Sequence, residues 1–195
     1  RTAPMLSDGK VFFGTEYYVQ ALRADTGDSL WRSNVSGGVQ LNGSLAAADG
    51  RVYFGSNDTN LYALNAANGS VAWKFKTDDR IYSSPVLVRN FLFISSTDSK
   101  LYALDRSSGT LLSSYSTGGR VASAMAFSNG TLAAVTDAGA LEIFKSTNAP
   151  PELPSGLLVA YGGASTSSRA SGWMDNSDNE TAFMRERSTD GTVFA

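Results

Sequence analysis

Two aspartates, Asp58 and Asp98, stand 40 residues apart in corresponding segments, "SNDTNLYAL" and "STDSKLYAL". Carboxylates at such places could hold calcium or exchange protons with a substrate. The sequence offers them little company. No dense acidic cluster surrounds either one, and the chain contains no histidine and no cysteine. The commonest general base, the commonest metal ligand, thiolate nucleophiles and disulfides are therefore all excluded. An aspartate in a short polar run ahead of a strand is more often the side chain that closes an Asx turn than a catalyst. No catalytic residue, metal ligand or cofactor is assigned, and the chain reads as a non-enzyme.

A second set recurs at the same interval. Arg80 and Arg120 precede matching segments, with Gln40 at the corresponding place in an earlier copy. Each lies at the entry to a strand, so the three would line one rim near a central axis. Long polar side chains around a mouth could grip a peptide or an acidic partner. The plain alternative is a row of solvated residues, with Asp78 and Asp79 balancing the charge.

A third set is six Asn-x-Ser/Thr sequons, at Asn34, Asn42, Asn57, Asn68, Asn129 and Asn179. They point to a glycoprotein of an extracytoplasmic compartment: secreted, periplasmic or luminal. Asn-Gly-Ser and Asn-Gly-Thr are also what a hairpin turn writes as it enters a strand.

The elements that must position these residues are strands, and they repeat. "DGKVFFG" (8–14) returns as "DGRVYFG" (49–55) and loosely as "RNFLFIS" (89–95). "YVQALRADTG" returns as "NLYALNAANG" and "KLYALDRSSG", and Leu61, Leu101 and Leu141 step by 40 residues. Trp31 and Trp73 each follow a repeat glycine, Gly27 and Gly69, by four residues; the third copy keeps Gly109 but has Ser113 at the tryptophan place. A fourth copy, 128–145, keeps the alternation and loses most of the shared letters. Four short strands per 40 residues, punctuated by Asp-Gly and Asn-Gly, is the spacing of a propeller blade. Leu61, Ala63, Leu101 and Ala103 should be buried at equivalent places on successive third strands, with no helix longer than about two turns.

These letters resemble the PQQ-like repeat, the blade motif shared by quinoprotein dehydrogenases and outer-membrane assembly lipoproteins of the BamB type. The resemblance covers about residues 2–145. It implies that Trp31 and Trp73 pack against the adjacent blade and staple the ring, and that related rings close with seven or eight blades. In the dehydrogenases it implies a catalytic aspartate beside calcium and quinone and usually a vicinal disulfide, none of which this cysteine-free chain displays.

The fold expected is all-β: about four four-stranded antiparallel blades over 1–145, forming an incomplete ring. The chain begins at Arg1 rather than Met, inside the first strand of a blade, as a processed product or a fragment of a longer propeller would. A proline-containing connection, 146–162, follows the fourth blade; its outer strand would come from 157–161, or else that segment is free. Residues 163–195 form an extended tail without period, of a composition that must be held by some surface, with Trp173, Met174, Phe183 and Phe194 as anchors.

A net charge of −2 and a pI near 5.1 argue against a nucleic-acid surface, which would need a clustered basic face. The longest apolar run, "GLLVAY", is too short to span a bilayer. Two functions remain. One is a non-catalytic propeller scaffold or assembly subunit that binds other proteins in a larger complex. The other is a ligand-binding or degenerate quinoprotein-like domain that uses the central mouth.

Overall fold

The computed structural model describes residues 3–34, 41–146, 171–172 and 183–186, and every regular element among them is a strand. The first sheet is β1 (Met5–Ser7), β2 (Lys10–Gly14), β3 (Val19–Arg23) and β4 (Ser29–Ser33). The second is β5 (Ala46–Ala48), β6 (Arg51–Gly55), β7 (Asn60–Asn65) and β8 (Val71–Lys76), and the third β9 (Val86–Val88), β10 (Phe91–Ser96), β11 (Lys100–Asp105) and β12 (Leu111–Ser116). Each is a four-stranded antiparallel meander in chain order. Asp-Gly and Asn-Gly turns join its first two strands in three of the copies. Both turn residues have positive φ, 49° and 70° at Asp49 and Gly50, the mirror-image turn whose twist matches that of the flanking strands.

The fourth sheet departs from that plan. It holds β13 (Ala126–Ser128), β14 (Thr131–Val135) and β15 (Leu141–Ser146), then β17 (Phe183–Glu186) against β15 and β16 (Ser171–Gly172) outside it. The outer strand is thus drawn from the tail. The segment 157–161, which the sequence offers for that place, lies outside the described residues, as does most of 146–162.

The core lies between sheets, which is why no blade is stable alone. Phe12, Ala21 and Trp31 meet Val52, Phe54 and Leu64 of the second blade. Tyr53, Leu61 and Ala63 meet Leu92, Ile94 and Leu104 of the third, and Phe93, Leu101 and Ala103 meet Leu132, Ala134 and Phe144 of the fourth. Leu61, Ala63, Leu101 and Ala103 are all buried. The innermost strands pack β1 on β5, β5 on β9 and β9 on β13. Among the described residues β13 does not come round onto β1, so the four blades form an open arc.

Candidate functional site

The connections from an outer strand to the next inner strand at 77–85 and 117–125 lie on one face of the arc, together with the turns between second and third strands. Arg80 and Arg120 stand there, both exposed. The backbone under Arg80 is pinned: its carbonyl accepts from the Thr97 amide at 2.9 Å, the Thr97 hydroxyl at 3.1 Å and the Ser96 hydroxyl at 3.0 Å. The Arg120 carbonyl accepts from the Asp137 amide at 2.8 Å, and the Arg120 amide donates to the Asp137 carboxylate at 3.0 Å. Each arginine is therefore held by a turn of the following blade, while its guanidinium stays outside. Gln40, the third member of this set in the sequence, lies outside the described residues.

The charges around Arg80 are partly spent on the fold. Its guanidinium donates to the Tyr82 hydroxyl at 3.2 Å, which holds the arginine above its ordinary pKa. The Arg80 amide donates to Asp79 at 2.8 Å and is the largest cause of that carboxyl's lowered pKa; the Thr97 hydroxyl and the Arg80 and Arg120 charges lower it further. Lys100 pairs with Asp78 at 2.6 Å between blades. Exposed pairs of this kind contribute little stability; what they leave is a face on which both signs are presented on a fixed backbone.

Asp58 and Asp98 do other work. Asp58 accepts from the Asn60 amide at 3.1 Å and the Ser56 hydroxyl at 2.5 Å, and its second oxygen accepts from the Tyr62 hydroxyl at 2.6 Å. Asp98 repeats this with the Lys100 amide at 2.9 Å and the Tyr102 hydroxyl at 2.5 Å. These are Asx turns locked by a tyrosine four residues on. Burial, then the neighbouring carboxylate, pushes both tyrosine pKa values far up. The tyrosines were legible as an Asp-x-x-x-Tyr recurrence, but the sequence reading passed over them. Among the described residues no group of three acidic side chains is placed to share a cation.

The tryptophans sit between blades. Opposite Trp31 and Trp73 the partner strands carry Ala21 and Ala63, and a bulge follows each alanine, which twists the outer strand and aims the indole across to the next sheet. The Trp31 ring lies on Gly69, where an added Cβ would come within 2.5 Å of it, and its N–H donates to the Ala66 carbonyl at 3.0 Å. Trp73 lies on Gly109 with the same 2.5 Å clearance. At Gly27 nothing among the described residues lies within 4 Å of the equivalent point.

Elsewhere the sequence candidates scatter. Asn34, Asn42, Asn68 and Asn129 are exposed and Asn57 half-buried, on both faces of the arc, while Asn179 lies outside the described residues with Trp173, Met174 and Phe194. Phe183 is placed by its backbone, opposite Ser146 at the start of β17. On the opposite face, a cleft of about 300 Å³ between the second and third blades is lined by Asp49, Arg51, Tyr53, Asn90 and Arg106, with Arg106 paired to Asp49 across the blades. It was not legible in the sequence, because its residues come from two repeats.

A family model described as outer membrane protein assembly factor BamB matches residues 15–151. The protein of that name from Salmonella typhimurium is 32% identical over 93 residues, which are 43% of this chain and 24% of that protein. The chain thus spans about a quarter of the curated relatives it matches. Among solved structures, the crystal structure of BamB from Moraxella catarrhalis superposes with a TM-score of 0.62 at 17% identity, over 73% of this chain and 44% of that one. The computationally designed Ika4 protein gives 0.64 at 16% identity, over 74% of this chain and 92% of that one. Quinohemoprotein alcohol dehydrogenase from Comamonas testosteroni gives 0.60 at 17%, over 77% and 29%. Likenesses at these identities are likenesses of fold.

Proposed function

This chain belongs to the family of the outer membrane protein assembly factor BamB, and we propose that it acts as a non-catalytic propeller scaffold, binding other proteins of an extracytoplasmic assembly through the rim that carries Arg80 and Arg120. The observation that carries this reading is the contrast between these arginines and the aspartates near them. Asp58 and Asp98 are consumed in turns and tyrosine hydrogen bonds, whereas the guanidinium groups are exposed on backbone fixed by the neighbouring blade. The backbone that carries them is already fixed and loses little order on docking, and charge-assisted bonds to a partner's carboxylates are the stronger kind. The likeness to the quinohemoprotein concerns the fold and brings no catalytic group with it.

The test is co-purification from cells in which the tagged chain is expressed with its envelope proteins, followed by Arg80→Ala with Arg120→Ala. The reading expects a stoichiometric partner whose binding weakens at least tenfold and becomes less salt-sensitive in the double variant. A partner retained at full affinity, or no partner at all, overturns it.

A further inference from the structure

We infer that the cleft between the second and third blades binds a carboxylate, held between the guanidinium groups of Arg51 and Arg106 with the Asn90 side-chain amide as a third donor. Its walls come from two neighbouring blades in the middle of the arc. The equivalent boundaries show that the fold does not require such a place. At the positions of Arg51, Tyr53, Asn90 and Arg106, the boundary between the first and second blades has Lys10, Phe12, Gly50 and Ala66. The boundary between the third and fourth has Phe91, Phe93, Gly130 and Ser146. Neither set contains a phenol or a guanidinium. The turn ahead of β10 departs from its counterparts as well. Arg89-Asn90 stands where the other blades have Asp-Gly or Asn-Gly, so Asn90 brings an amide to a place where they carry no side chain.

The cleft is held in shape from within. The Arg106 amide donates to the Asn90 carbonyl at 2.7 Å, the Arg106 carbonyl accepts from the Tyr53 hydroxyl at 3.3 Å, and its guanidinium pairs with Asp49. Its side chain is only 17% exposed, so the charge stays in the cleft instead of reaching out into water. Arg51 is two residues before Tyr53 on β6, so both point to the same side of the sheet. Tyr53 is 1% exposed. Burial raises its pKa, and the charges of Arg106 and Arg51 draw it part of the way back, which places both guanidinium groups around the phenol.

The groups left unengaged decide the ligand. Asp105 accepts from the Ser107 amide at 2.9 Å and hydroxyl at 2.6 Å, and from the Ser108 amide at 2.8 Å and hydroxyl at 2.9 Å. Burial pushes its pKa up, but these bonds outweigh burial and hold it below the ordinary value. Asp49 is engaged by Arg106. Among the described residues Arg51 makes no ion pair and no side-chain hydrogen bond, and the Asn90 side chain makes none either. The available groups are therefore donors, and an anion that only accepts fits them. Two arginines against two aspartates leave the cleft near neutrality before binding. A singly charged carboxylate is matched by the Arg51 charge, whereas a phosphate dianion would stand partly uncompensated beside Asp49 and Asp105. At about 300 Å³ there is room for about ten water molecules, enough for one acidic side chain or a small carboxylic acid. The inference does not depend on the arginine rim, which lies on the other face.

The experiment follows the arginine Nε–H and Asn90 side-chain amide resonances of the 195-residue chain during four titrations. The probes are glutarate, N-acetylglutamate α-amide, its neutral glutamine counterpart and inorganic phosphate. The expected result is saturable shifts at Arg51, Arg106 and Asn90 with both carboxylates, at a dissociation constant on the order of 1 mM or below, and none with the glutamine compound. Tighter binding of glutarate supports a site for a free acid; tighter binding of the glutamate amide supports one for an acidic peptide. Arg51→Gln should weaken binding at least ~10-fold. Asn90→Gly, which gives this turn the residue of the other three blades, should weaken it about threefold to tenfold. Lys10→Gln, at the place of Arg51 in the first blade, should leave it unchanged, and far-UV spectra check that each variant keeps its fold. No saturable shift up to about 50 mM, equal binding of the glutamine compound, tighter binding of phosphate, or binding indifferent to both Arg51→Gln and Asn90→Gly overturns the inference.

Discussion

The Tyr53 and Trp73 rings pack with centroids 5.8 Å apart, and the Tyr53 hydroxyl takes the acceptor that the indole would otherwise reach. It donates to the Arg106 carbonyl at 3.3 Å. One blade earlier, Phe12 stands at the tyrosine place with no hydroxyl to offer, and the indole of Trp31 donates to the matching carbonyl of Ala66. The Trp73 N–H is buried with no partner among the described residues. One carbonyl thus serves one of two donors, and the blades differ in which.

The first prediction follows from that exchange. Trp31→Phe should cost about 1 kcal/mol more than Trp73→Phe, since only the former loses a hydrogen bond beyond ring area. Tyr53→Phe should be nearly neutral, because it frees the Arg106 carbonyl for Trp73. Chemical denaturation of the three variants decides the matter, and equal losses for both tryptophans would contradict it.

A second prediction separates the three repeat glycines. All have φ between 72° and 78°, so replacement by alanine costs each about 1 kcal/mol of backbone strain. At Gly69 and Gly109 the new methyl also meets an indole ring at 2.5 Å, while at Gly27 it meets nothing among the described residues. Gly69→Ala and Gly109→Ala should therefore cost at least ~1–3 kcal/mol more than Gly27→Ala, as overpacked sites do. Thermal unfolding at low concentration measures the difference.

How far the sequence carried these details depends on the kind of signal. The blade was legible because Asp-Gly turns and alternating apolar letters return at a fixed step, and the burial of Leu61 and Leu101 follows from that step alone. That each tryptophan packs on the adjacent blade was legible only by resemblance, since no letter pattern says which blade an indole reaches, and the glycine it lies on was not legible at all. The exchange between Tyr53 and Trp73 was hidden. It depends on one hydroxyl present in "VYFG" and missing from "VFFG", and on a carbonyl 53 residues away. β17 was hidden too, because a four-residue strand of mixed polarity in a polar tail carries no period. At the rim, the interval from Arg80 to Arg120 was visible; the threonine, serine and aspartate bonds that fix their backbone were not, as these come from the next blade.

The third prediction concerns alkaline pH. Tyr62 and Tyr102 have raised pKa values in the folded chain, first through burial and then through the Asp58 and Asp98 carboxylates. The unfolded chain loses these protons near pH 10, while the folded chain keeps them. Above pH 10 the folded state thus binds more protons, and stability falls as pH rises; below pH 10 the contribution is fully present. Tyr62→Phe with Tyr102→Phe should flatten the fall between pH 10 and 11.5, at the cost of leaving Asp58 and Asp98 without their hydroxyl donors. Urea midpoints across that range provide the check, and an unchanged slope in the double variant would count against the coupling.

The last prediction uses the strand that the tail supplies. β15 has β14 on one side and Phe183–Glu186 on the other, with Ile143 opposite Glu186 and Ser146 opposite Phe183. Removing residues 163–195 leaves the outer edge of β15 without partners. Each ladder bond lost contributes about 0.5–1.5 kcal/mol net, while the freed segment regains conformational entropy, so the deletion should cost roughly 1–3 kcal/mol. The loss should be local, because the clusters through which the first three blades meet contain no residue of β16 or β17. Hydrogen exchange should therefore quicken in β14 and β15 and stay slow in β6, β7, β10 and β11. Truncation after Glu186 keeps β17 and removes Phe194, so it separates the strand's role from any role of the chain end in holding a partner. Exchange in β15 that is unaltered by the full deletion would show that Phe183–Glu186 does not protect that edge in solution.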